Sequence, residues 1–68
     1  MKVNEIKQIT TSAIRGTARK NGLPHIDRVI AFEIWDEIAR CSPNTIAGKA
    51  YFTLTEKQRE DVLADAFC

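Results

Sequence analysis

Few side chains in this 68-residue sequence are of types that do chemistry. Their spacing narrows the choice further. His25, the only histidine, stands two residues before Asp27. A histidine beside a carboxylate acts as a base only when a nucleophile shares its cleft. No such nucleophile is signalled, so His25 reads as a surface or capping residue. The Gly48-Lys49 pair resembles the end of a phosphate-binding loop. That loop needs G-x-x-x-x-G-K-[ST] between a strand and a helix, and here both the first glycine and the final hydroxyl are missing. Glu33, Asp36 and Glu37 are spaced to share one helix face, and carboxylates so placed can bind a cation. No histidine or second acidic motif accompanies them, and a solvated strip is expected. We expect no catalytic residue, no metal ligand and no cofactor.

The cations of the first half carry a different chemistry. Residues 1–30 hold six Lys and Arg against Glu5 and Asp27, a net of +4, and residues 31–68 hold four against seven acidic residues, a net of −3. Such asymmetry marks either a surface for a charged partner or two halves that complement each other within the fold or across a dimer. Arg15, Arg19 and Lys20 lie among hydroxyl and amide side chains of the kind that contact phosphates. They are the candidate partner-binding strip, and Arg15 and Arg19 are expected to be exposed and unimportant for folding. The whole chain, at +1, is far from the basic balance of a stand-alone DNA binder. The segment from Ala18 through Gly22 to Val29 has the outline of a helix-turn-helix. Asn21 and Arg28 fall where that motif wants apolar side chains.

Three helices must position these groups. The first spans roughly Asn4 to Lys20, with Val3, Ile6, Ile9, Thr10, Ala13 and Ile14 on one stripe. Asn21-Gly22 supplies a left-handed C-terminal cap, and Leu23 before Pro24 disfavours further helix. The second runs from about Pro24 or His25 to Arg40 or Cys41. Glu33, Asp36, Glu37 and Arg40 form a narrow polar strip on it, and apolar residues fill most of the remaining circumference. A surface helix normally has one apolar stripe, so this one must be covered on two or three sides. A short helical turn is expected near 43–47, ended by Gly48, with "AYFTL" as an extended packing segment. The last helix opens at Thr55, where Thr55 and Gln58 match a capping box, and runs to about Phe67 with Val62, Leu63, Ala66 and Phe67 inward.

The sequence therefore predicts one small all-α domain over 1–68, a compact three-helix arrangement with helix 2 at its centre. Trp35 projects opposite the polar strip and is expected to be the most costly residue to truncate. Phe32, Trp35 and Tyr51 are the candidate interface anchors, because aromatic residues are favoured as hot spots. The opening "MKVNEIKQITT" is too polar for a signal peptide, and no run approaches a membrane span. Two cysteines, Cys41 and Cys68, do not make a secreted disulfide framework, so a cytoplasmic setting with reduced thiols is expected.

The function these features favour is a non-enzymatic binding protein that docks on a larger protein or nucleoprotein assembly and modulates or inhibits it. A homodimer is expected, and no membrane partner. Small regulators of this kind are often carried by phages and other mobile elements, which is an expectation from size alone. The alternative is a small nucleic-acid-binding regulator using the basic face of helix 1.

Overall fold

The computed structural model describes residues 1–23 and 25–66. These form four helices and no strand: α1 (Val3–Lys20), α2 (Arg28–Cys41), α3 (Ile46–Thr53) and α4 (Glu56–Ala66). The all-α class stands, but there is one helix more than the sequence pattern indicated. Pro24, Phe67 and Cys68, which entered the expected helix ends and thiol chemistry, lie outside the described residues.

Each boundary has a local cause. α1 ends in a Schellman arrangement: the Leu23 N–H donates to the Ala18 carbonyl at 3.0 Å and the Gly22 N–H to Arg19 at 3.0 Å. Gly22 takes the left-handed conformation this requires, with φ of 74°, as Asn21-Gly22 indicated. α2 begins later than expected, at Arg28. Its cap is Asp27, whose carboxylate accepts from the Ile30 N–H at 2.9 Å, and a side-chain acceptor outweighed a proline start. The capping box of α4 forms as read. The Thr55 N–H donates to Gln58 Oε1 at 2.9 Å, and the Gln58 N–H donates to Thr55 Oγ1 at 3.2 Å.

The segment read as a helical turn followed by an extended stretch is instead α3. Thr45 is its cap: Thr45 Oγ1 accepts from the Gly48 N–H at 3.0 Å and donates to the Ser42 carbonyl at 2.8 Å. Gly48 therefore lies in the first turn and does not stop the helix. Its lack of a side chain serves close approach. A Cβ there would press into the Ser42 carbonyl and sit 3.1 Å from Pro43 Cα. The β-branched and aromatic residues of 51–54 favour strands only weakly, and packing overrides such preferences.

α2 packs against all three other helices, and α1 also meets α3 and α4. Ala31, Trp35 and Ala39 are its buried line, with Ile30, Ile34 and Ile38 partly buried beside it. From α1 the core receives Ile14, Ala18 and Thr10, and from α4 it receives Val62, Leu63 and Ala66. Thr10 is the buried polar residue, and its hydroxyl donates to the Ile6 carbonyl at 2.7 Å. The α1 stripe is narrower than its spacing suggested, since Val3 and Ile9 remain 42% and 38% exposed.

The two helical glycines separate propensity from packing. Gly16→Ala, with nothing within 4 Å of the new methyl, is expected to stabilise the fold by about 0.5–1 kcal/mol. Gly48→Ala is expected to cost about 1–3 kcal/mol from overpacking. Urea denaturation of both variants checks the opposite signs.

Candidate interaction surface

Four aromatic rings gather where α2 and α3 meet. Trp35 is fixed first. It is 1% exposed, and its Nε1–H donates to the Ala47 carbonyl at 2.9 Å. Tyr51 of α3 stands edge-on to it, with ring centroids 5.5 Å apart. The Phe32 ring lies 5.9 Å from that of Tyr51, and the Phe52 ring lies 5.2 Å from it. The Arg59 guanidinium of α4 reaches over the Tyr51 ring, 6.0 Å from its centre, at the outer range of a cation–π contact.

Burial falls steeply across this row. Trp35 is sealed, Tyr51 is half-buried, and Phe32 and Phe52 are 40% and 71% exposed. Of the three aromatic anchors named from sequence, only Phe32 and Tyr51 therefore reach the surface, while Trp35 belongs to the interior. An open cleft of about 400 Å³ lies beside them, walled by Phe32, Tyr51 and Leu63 and rimmed by charged side chains from α2 and α4. Val29, at 66% exposure, stands at its edge. The sequence counts Phe52 among its large aromatic residues but not among the three named anchors, and it does not single out Val29. Once 46–53 is read as a helix, Phe52 falls about 140° from Ala47, on the outward side with Lys49.

Several charged groups are matched within the fold. Lys7 of α1 pairs with Asp61 of α4 at 3.2 Å, Arg28 of α2 pairs with Glu60, and Arg40 pairs with Asp36 one turn earlier at 2.9 Å. Arg15 donates to the Asp65 carbonyl in the last turn of α4. A cation there also opposes the negative end of the helix dipole. The candidate basic strip is thus divided. Arg15, Arg19 and Lys20 are all exposed, but Arg15 is turned to α4, and the structure does not gather the three around a cleft. Nor do α1 and α2 form a helix-turn-helix, whose turn has three or four residues, because residues 21–27 separate them. Glu33 and Glu37 are exposed on the α2 strip, His25 is exposed ahead of α2, and Lys49 is exposed within α3, not in a loop. Cys41 is an exposed free thiol. Among the described residues, no helix is long and apolar enough to cross a membrane.

No protein-family model, curated protein or solved structure matches this chain.

Burial, and then the adjacent Asp36 carboxylate, push the Tyr51 phenol above its ordinary value of 10.0. Ionisation is thus harder in the folded state. The resulting stability is present below pH 10 and is lost as pH rises through the folded pKa. Tyr51 is the sole tyrosine, so tyrosinate absorbance reads it directly. Its midpoint is expected above 10 in the native protein and near 10 in urea, with Asp36→Asn lowering the native midpoint only in part.

Arg15 and Arg19 are expected to part company. Arg19→Glu on the open surface is expected to change stability by less than about 0.5 kcal/mol. Arg15→Glu loses the bond to Asp65 and places a carboxylate at the α4 C-terminus, and it is expected to cost about 1 kcal/mol. Thermal melts at low and high salt check the difference.

Proposed function

We propose that this chain is a non-enzymatic binding protein that docks on a larger protein or nucleoprotein assembly and modulates its activity. One observation carries the reading. Val29 and Phe32, 66% and 40% exposed, line an open cleft, and Phe52, 71% exposed, stands against Tyr51 of the same cleft wall. Scattered apolar residues are normal on a surface, but a contiguous group rimmed by polar side chains marks an interaction site. Aromatic residues at such a site supply much contact area at little conformational cost, and a fixed base lets them act as anchors. Tyr51, held between Trp35 and Phe52, provides that base. The setting we favour is cytoplasmic, where the exposed Cys41 thiol stays reduced.

The alternative, a nucleic-acid-binding regulator, would use Arg19 and Lys20, with Arg15 released from α4. The internal use of Lys7, Arg15 and Arg28 weighs against it.

Immobilised protein offered a lysate of its own host separates the two. The parent chain and Arg19→Glu/Lys20→Glu are expected to capture the same protein, insensitive to nuclease, whereas Phe52→Asp is expected to lose it. Capture of nucleic acid that depends on Arg19 and Lys20 and falls steeply with salt would replace the docking reading with the alternative.

A further inference from the structure

We infer that Asn21-Gly22 is a site of spontaneous covalent modification, in which the backbone attacks the Asn21 side-chain amide and the α1 cap sets the rate. Asparagine is among the chemically labile residues. Its side-chain carbon can close a five-membered ring with the backbone nitrogen of the next residue. A side chain on that next residue hinders closure, and glycine has none. The chain holds three asparagines, and the other two, Asn4 and Asn44, precede Glu5 and Thr45. Asn21 and Gly22 are both exposed, and nothing stands within 4 Å of the space a Gly22 Cβ would fill. Water and dissolved base therefore reach the pair.

The reaction needs only the chain and water. The Gly22 nitrogen gives up its proton and bonds to the Asn21 side-chain carbon. The bond from that carbon to the amide nitrogen breaks, and ammonia leaves with a proton from water. Water then opens the ring at one of its two carbonyls and yields an aspartyl or an isoaspartyl linkage. Two features of the fold hold the first step back. Asn21 has a ψ of 6°, so the Gly22 nitrogen is nearly eclipsed with the Asn21 nitrogen and turned away from the side chain it must attack. The same Gly22 N–H is committed to the Arg19 carbonyl at 3.0 Å. Attack thus requires the cap to open, and local opening costs less than global unfolding. Both products put a carboxylate beside Arg19 and Lys20, at the helix end whose dipole favours cations. The isoaspartyl product also adds one atom to the backbone, which breaks the register of the Leu23 N–H with the Ala18 carbonyl.

Incubation of the full chain in neutral buffer, folded and in guanidinium chloride, with peptide mass spectrometry at intervals, tests the inference. Conversion is expected at Asn21 ahead of Asn4 and Asn44, and to run roughly tenfold faster or more in guanidinium chloride than in the folded chain. Gly22→Ala is expected to slow it several-fold in guanidinium chloride, where no fold remains to be disturbed. Asn21→Gln would have to close a six-membered ring, and it is expected to stay unconverted over the same period with its helical circular dichroism unchanged. The isoaspartyl form, separated by ion exchange, is expected to melt below both the parent and Asn21→Asp, which gains the charge without the extra backbone atom. Conversion as fast at Asn4 or Asn44, or a Gly22→Ala variant that converts as the parent does in guanidinium chloride, overturns the site. Equal rates in the folded and unfolded chain overturn control by the cap.

Discussion

The fold is organised by what Trp35 needs. An indole placed in an interior must satisfy its N–H, or the burial is penalised by an unmade hydrogen bond. The acceptor is the Ala47 carbonyl, in the first turn of α3. That bond fixes how close α3 comes to α2 and at what rotation. It brings Tyr51 edge-on to the indole, and the chain between the helices must then turn back within residues 42–45. The tightness of that return explains Gly48, whose missing Cβ leaves room for the Ser42 carbonyl and Pro43. It explains Thr45 too, which bonds to both sides of the turn. Small residues surround the indole. Ala31 and Ala39 lie one turn either side of it on α2, and Ala47 and Ala50 come from α3. Their size lets the backbones approach while the large ring fills the space.

Half of the cations in the basic first half are used inside the fold. That half and the acidic last helix meet through Lys7 and Asp61, Arg28 and Glu60, and Arg15 and the α4 C-terminus. These contacts are largely solvent-exposed, and each contributes little to stability, about 0–1 kcal/mol. Their value is directional. Among the described residues α4 buries Val62, Leu63 and Ala66, a narrow face. Cations on two other helices, matched to acids along α4, select one seating among several that would bury similar area.

The sequence announced features whose cause is local and hid those whose cause is remote. Asn21-Gly22 and the pair Thr55 and Gln58 act within a single turn, and both were legible from residue type and spacing. The polar strip of α2 was legible for the same reason, since helical periodicity alone places Asp36 beside Arg40. α3 was hidden. At eight residues it is too short to be stable alone, its β-branched and aromatic residues lean towards strand, and its glycine looks like a stop until the distant Ser42 carbonyl is known. Asp27 was overlooked as a cap because Pro24 offers an earlier start. The aromatic surface was half legible. Composition marks Phe32, Trp35 and Tyr51 as anchors, but only the rotation of α3 separates the sealed Trp35 from the outward Phe52.

Helix length then determines where the surface opens. At 1.5 Å per residue, α2 is about 21 Å long and α3 only about 12 Å. A two-turn helix pinned at its start by the Trp35 bond cannot shield both ends of a four-turn one. α3 covers the part of α2 around Trp35, α1 lies against both of them, and α4 joins α2 near its start through Arg28 and Glu60. Between the end of α3 and the start of α4 a stretch of α2 remains, and Val29 and Phe32 occupy it. Polar residues at 29 and 32 would have served a helix whose only duty was to pack inward. Apolar ones at the gap, with Phe52 exposed beside Tyr51, extend the core outward beyond what the chain's own helices enclose. The broad apolar circumference of α2 is thus covered by three neighbours along most of its length, and the remainder is the face on which the proposed docking depends.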